Sequence, residues 1–247
     1  MNLPILKILV GAVVLFWERR FVLSRVLWLP ILIGLILSLL SVSQVEERDN
    51  GLFAVMLLVP LLLVTAMLAV RSHRIYLLGS ESVADLPPLS WSQTETRFLL
   101  ATLSLGLAFL SLMFFAGLLF TLVGATPPGT LNPGAMLIAL PAMYVIARLL
   151  PALPAIAVGD ETRLVAAWKN AWEASRGNGT RVLGICLLTP LAIKVLLELF
   201  AAMPVPGTVL ISTLAGWAVM PAEVALLSLT YQSLKRAIPE TPTPLER

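Results

Sequence analysis

Four ionisable residues stand inside stretches that are otherwise apolar: Arg148, Lys194, Glu198 and Glu223. Each costs about 3 kcal/mol at the centre of a lipid-embedded helix. A chain that keeps four must give them partners, water or a task. A guanidinium and a carboxylate at matched depth can close an ion pair across a bundle. Around an open space the same groups make a site for a charged headgroup or a proton-coupled site. Lys194 and Glu198 are four residues apart, so on a helix they share a face and can pair along it. Other chemistry has little to work with. One histidine, His73, cannot build a histidine metal cluster, and one cysteine, Cys186, cannot form an intrachain disulfide. The chain holds no Walker loop, nucleotide fingerprint, His-Glu metal motif or Gly-x-Ser-x-Gly elbow. The expectation is therefore a protein without catalytic residues, metal or cofactor.

The elements that must position these charges follow from composition. Hydrophobic residues make up 58% of the 247 and charged residues 13%, about half the share needed to coat a soluble domain. Apolar runs approach the roughly 20 residues that cross a hydrocarbon core. The fold class expected is an all-α membrane helix bundle in one domain, with six spans near 26–43, 52–70, 98–122, 134–157, 181–202 and 207–232. The first 25 residues hold an apolar run that is too short to span and carries Lys7. On a helix Lys7, Glu18 and Arg25 fall on one face, which predicts an interfacial helix or one tucked under the bundle. No signal-peptide cleavage pattern follows that run, and residues 233–247 read as a disordered tail.

Charge sets the orientation. The connections QVEERDNG, VGATPPGTLNPG and MPVPG hold one basic residue, Arg48, whereas 14 of the 17 basic residues fall on the opposite side with both termini. Such asymmetry marks the cytoplasmic side. The positive net charge of +3 is thus topological and does not point to nucleic acid. The partner expected is the lipid bilayer, with anionic phospholipids or other membrane proteins beside it.

Two cytoplasmic connections carry structure of their own. In the second, Leu-Pro-Pro forces an extended segment, and Ser92 with Glu95 makes a capping box opening the third span. His73, between Arg71 and Arg74, reads as an interface anchor. In the fourth, residues 162–176 form an amphipathic helix with Leu164, Ala167, Trp168, Ala171 and Trp172 on one face. Gly177-Asn178-Gly179 ends it. Lying on the membrane with its tryptophans down, this helix makes Trp168, Trp172, Arg176 and Arg181 the expected headgroup contacts.

Those residues also carry a resemblance. Ala167-Trp168, Trp172, the Ser175-Arg176-Gly177-Asn178 run and Arg181, preceded by LPALPAIAVG, resemble a helix ahead of the fifth span in six-span bacterial inner-membrane proteins of unknown function. Those proteins are similar to the membrane domain of glycerophosphodiester phosphodiesterases. The HRIYLLG segment, residues 73 to 79, is similar to another of their elements. The resemblance implies a multipass protein of the bacterial cell envelope, and it carries over no catalytic residue.

Depth then pairs the charges. Arg148 and Glu223 both lie roughly 12 to 14 Å from the cytoplasmic surface, so the expectation is that they face each other. Pro141, Pro151 and Pro154 flank Arg148 and free carbonyls it can reach, while Pro190 and Pro221 interrupt the last two spans. Two readings stay open. One is a non-enzymatic scaffold or accessory in membrane maintenance, with Arg148–Glu223 as a structural lock. The other is a transporter or lipid-binding protein with a polar site around Arg148 and Glu223, because broken helices around a charge mark transporter sites.

Overall fold

The computed structural model describes residues 3–45, 51–122 and 133–237. Arg48, the connection at 123–132 and the tail from 238 lie outside the described residues. Every regular element described is helical, as composition requires. They are α1 (Ile5–Val45), α2 (Gly51–Leu77), α3 (Gln93–Leu122), α4 (Pro133–Leu149), α5 (Ala152–Ala157), α6 (Leu164–Ala174), α7 (Gly179–Leu183), α8 (Thr189–Ala201) and α9 (Thr208–Ala237). A 3₁₀ turn occupies Ser80–Val83, and a π-helical turn at Gly184–Leu188 joins α7 to α8. Among the described residues six stretches are long and apolar enough to cross a membrane, beginning at Ile5, Met56, Gln93, Ala139, Gly179 and Thr208. The protein is an all-α multipass membrane bundle.

The first helix differs from expectation. No break separates an interfacial segment from a span: α1 runs through residue 25 and through Pro30. At 1.5 Å per residue it is about 60 Å long, twice the hydrocarbon thickness, so only part of it can cross. Leu3, just ahead of it, and Ile8 and Ala12 of its first half pack against Val182, Ile185, Ala225 and Leu234 of the α7 segment and α9. Leu23 and Leu27 then meet Leu68 and Ile75 of α2. Leu6, Val10, Val13, Trp17 and Phe21 form an exposed stripe on the outside. This half, expected at the interface or tucked under the bundle, packs against the bundle on one face and is apolar on the other.

Span four is two helices. Pro151 breaks the chain between α4 and α5, whereas Pro141 sits within α4 without ending it. In span five Pro190 follows directly on the π-helical turn. The wider turn gives the proline ring room, and Thr189 Oγ1 donates to the Gly184 carbonyl (2.9 Å). α2 runs seven residues beyond the expected end, and α9 five beyond 232.

The core lies at the end that holds both α1's start and α9's finish. Alanines 66, 69, 101, 152, 157, 167 and 171 let α2, α3, α5 and α6 approach closely around Val70, Phe98 and Ile156. Towards the other end packing thins. α8 has no buried residue, and α3 exposes Leu107, Leu110, Phe114 and Phe115. At one close approach there, α1 passes Trp217 at Gly34, where a Cβ would stand 2.2 Å from the ring. Gly34→Ala should therefore displace the indole and cost about 1–3 kcal/mol, seen as a lower midpoint of equilibrium unfolding in mixed micelles.

Candidate functional site

The intramembrane charges separate into two places. Lys194, Glu198 and Glu223 line one cavity of about 410 Å³ between α1, α2, α8 and α9. Arg148 is elsewhere. The expected Arg148–Glu223 pair is not formed, because α4 presents the arginine to α6 and not to α9.

Around Arg148 the partners are neutral. Its Nε donates to Ser175 Oγ (2.9 Å), and a terminal nitrogen donates to the Trp172 carbonyl. The guanidinium stacks 3.6 Å over the Trp172 ring and lies 5.9 Å from that of Tyr144. Trp172 and Ser175 end α6, where unpaired carbonyls carry the negative end of the helix dipole. Arg148 therefore caps α6 and binds it to α4. Its donors reach these groups and not the carbonyls of Ala147 or Leu150.

The amphipathic helix is real, and its apolar face is the one expected, but protein covers that face. Ala167 and Ala171 are buried, and Leu164 and Trp168 pack against the α2–α3–α5 core. Trp168 Nε1 is shielded and, among the described residues, has no hydrogen-bond partner. Trp172 stays 38% exposed with its ring on Arg148. Arg176 is exposed, next to Gly177, whose φ of 76° makes the turn into span five. Arg181 donates to the Leu3 carbonyl (3.1 Å) and so ties span five to the chain's start.

Apart from the Lys194 ammonium, the free polar groups lining the cavity are acceptors. Thr65, Ser212 and Thr213 donate their hydroxyl protons to carbonyls of their own helices, at 2.8, 2.9 and 2.7 Å. Ser38 Oγ accepts from Trp217 Nε1 (3.1 Å). With those protons committed, the hydroxyls offer oxygen lone pairs. Two carboxylates face one ammonium. Lys194 forms no ion pair with Glu198, contrary to the i, i+4 expectation; among the described residues the only ion pair is Lys235–Asp160.

Sequence reasoning missed a second buried cationic group. Arg71 and His73 were expected at the interface, yet Arg71 is 0% exposed and His73 1%. Arg71 donates to the carbonyls of Pro87 (2.7 Å) and Pro88 (2.6 Å) and to Ser90 Oγ (3.0 Å). Two consecutive prolines cannot join a helix ladder, and the guanidinium fork suits their carbonyls. Glu95 acts on it as countercharge while capping α3: it accepts from the Ser92 N–H (2.9 Å), and Ser92 Oγ accepts from the Thr94 N–H (3.1 Å). His73 Nδ1 lies 2.8 Å from Ser228 Oγ. The Ser228 hydroxyl already donates to the Val224 carbonyl (2.8 Å), so the imidazole is the donor and its proton is on Nδ1. The signal available in the sequence was the prolines themselves, which leave two adjacent carbonyls in need of a donor.

One exposed contact ties the same end together. Lys235 Nζ lies 2.6 Å from Asp160 Oδ2, which also accepts from Tyr231. Burial alone would raise the Asp160 carboxyl, but the hydrogen bonds from Lys235 and Tyr231 and the Lys235 charge together hold it below its ordinary value of 3.8. A carboxyl lowered in the folded state stabilises it above the ordinary value, and that stability is lost as pH falls through the lowered one. Unfolding midpoints followed from pH 6 down to pH 3 should fall below about 4. Asp160→Asn should remove part of that acid limb.

The fold and cavity define a multipass α-helical membrane protein with a charged intramembrane pocket. No known protein family matches the chain, nor does any curated protein or solved structure.

Proposed function

We propose that the chain is a non-enzymatic protein of the bacterial inner membrane, with both termini cytoplasmic, that binds a small cation or a proton in the cavity around Glu223, Glu198 and Lys194. The observation that carries this reading is the lining: two carboxylates against one ammonium, with hydroxyl oxygens whose protons are already engaged. An excess negative charge inside a bilayer calls for a positive one. The breaks at Pro151 and at the π-helical turn support a carrier, since interrupted spans supply movable joints. The basic residues at the end shared by α1's start and α9's finish support the orientation. Similarity to the six-span proteins described above supports a bacterial envelope location.

The test is charge displacement on a solid-supported membrane. Proteoliposomes are given concentration jumps of H⁺, Na⁺, K⁺ and methylammonium. A transient for at least one of these, lost in Glu223→Gln, is the expected result. Silence for all four would end the carrier reading.

A second reading rests on Arg148. Its stacked environment, hydrogen-bonded to neutral groups, is that of a structural lock, which suits a scaffold or accessory in membrane maintenance. Under that reading the cavity charges serve packing, and Glu223→Gln changes stability and no flux.

A further inference from the structure

We propose that the groove between the first half of α1 and the last turns of α9 binds an anionic phospholipid, its phosphate between Lys7 and Arg236 and an acyl chain along the apolar floor. The site is separate from the cavity around Glu223 and does not depend on it. The groove has a volume of about 440 Å³. Its floor and walls are Ile8, Gly11, Val14, Leu15 and Leu229. Gly11 lets α1 come close to α9 along the floor: a Cβ there would stand 3.3 Å from Leu229.

Charge complementarity selects the occupant. Lys7 and Arg236 both line the groove and are exposed, and among the described residues neither has a hydrogen-bond or ion-pair partner. Glu18 also lines it, but eleven residues along α1 from Lys7, about 16 Å at helical rise, so it does not neutralise a phosphate at Lys7. A lone phosphate would leave the apolar floor uncovered, and an uncharged amphiphile would leave both cations unmet. One molecule answers both demands.

Access and preorganisation agree. The outer stripe of Leu6, Val10, Val13, Trp17 and Phe21 on the same stretch of α1 is apolar and exposed. A lipid can therefore enter sideways without leaving the bilayer. The wall is held before any ligand arrives: the Leu3 N–H donates to Asn178 Oδ1 (2.9 Å) and the Leu3 carbonyl accepts from Arg181. A preformed groove avoids the ordering cost that weakens mobile sites.

The experiment is native mass spectrometry of the full chain released from nanodiscs holding equal phosphatidylglycerol and phosphatidylcholine. The parent should retain phosphatidylglycerol preferentially. The double variant Lys7→Gln with Arg236→Gln should retain it roughly thirtyfold less, as expected for two interfacial cations. Lys169→Gln, on an exposed cation outside the groove, should change nothing. Glycerol 3-phosphate, which has the headgroup charge and no chain, should not compete. Circular dichroism and an unchanged unfolding midpoint show that the double variant is folded. Equal retention of the two lipids by the parent would overturn the proposal. So would undiminished phosphatidylglycerol on the double variant, or displacement by glycerol 3-phosphate.

Discussion

Arg148→Ala should unfold more readily than the parent by about 3–5 kcal/mol in mixed micelles. Two hydrogen bonds from a charged donor disappear, each worth about 1.5–3 kcal/mol. A stack on the partly exposed Trp172 ring goes with them, worth about 0.5–1 kcal/mol, and these terms share one network and do not add fully. The Trp172 carbonyl is left without its arginine donor at a buried helix end. Arg148→Lys should recover only part of the loss, because an ammonium cannot stack flat on an indole while donating to two separate acceptors. Glu223→Gln should be nearly neutral to stability, and a double-mutant cycle between the two positions should give a coupling near zero. A coupling of several kcal/mol would restore the ion pair that depth alone suggests. An Arg148→Ala protein with the parent's midpoint would remove the α4–α6 clamp from the fold.

The second large effect is expected at Arg71→Met, which keeps the length of the side chain and loses the fork. Carbonyls of Pro87 and Pro88 then lack their donor, at about 1–3 kcal/mol each. Glu95, 2% exposed, loses its countercharge. A total of about 3–4 kcal/mol follows, since the pieces share one network and do not add fully. The damage should be local first: the segment between α2 and α3 opens, and protease cuts between residues 78 and 92 ahead of global unfolding. Cleavage there at the parent's rate would show that the arginine does not hold the proline segment.

Much of the architecture was legible because lipid imposes it. The spans announce themselves by length and hydropathy, and the capping box at Ser92 and Glu95 forms as its spacing predicts. What failed was azimuth. Depth along a helix can be counted from a sequence, but the direction in which a side chain points cannot, and Arg148 turns to α6. The same limit hid Arg71 and His73. By sequence, charges at a span end read as interfacial, whereas the partners of Arg71 and His73 lie 16 and 155 residues away. Trp168 and Trp172 illustrate a related ambiguity. An amphipathic helix shows which face is apolar and not whether lipid or protein covers it. Lys194, Glu198 and Glu223 were recognised as intramembrane charges, but their common cavity needed four helices in place.

α8 carries a consequence for the cavity it walls. With no buried residue and a wide turn at its base, it leaves much of its surface to the acyl chains of a surrounding bilayer. Bilayer thickness and lateral pressure therefore contribute to the energy of every change in that wall's position. Under the proposed function, occupancy of the pocket and the elastic state of the surrounding membrane are thermodynamically linked: a thinner or more tightly compressed bilayer shifts the one through the other.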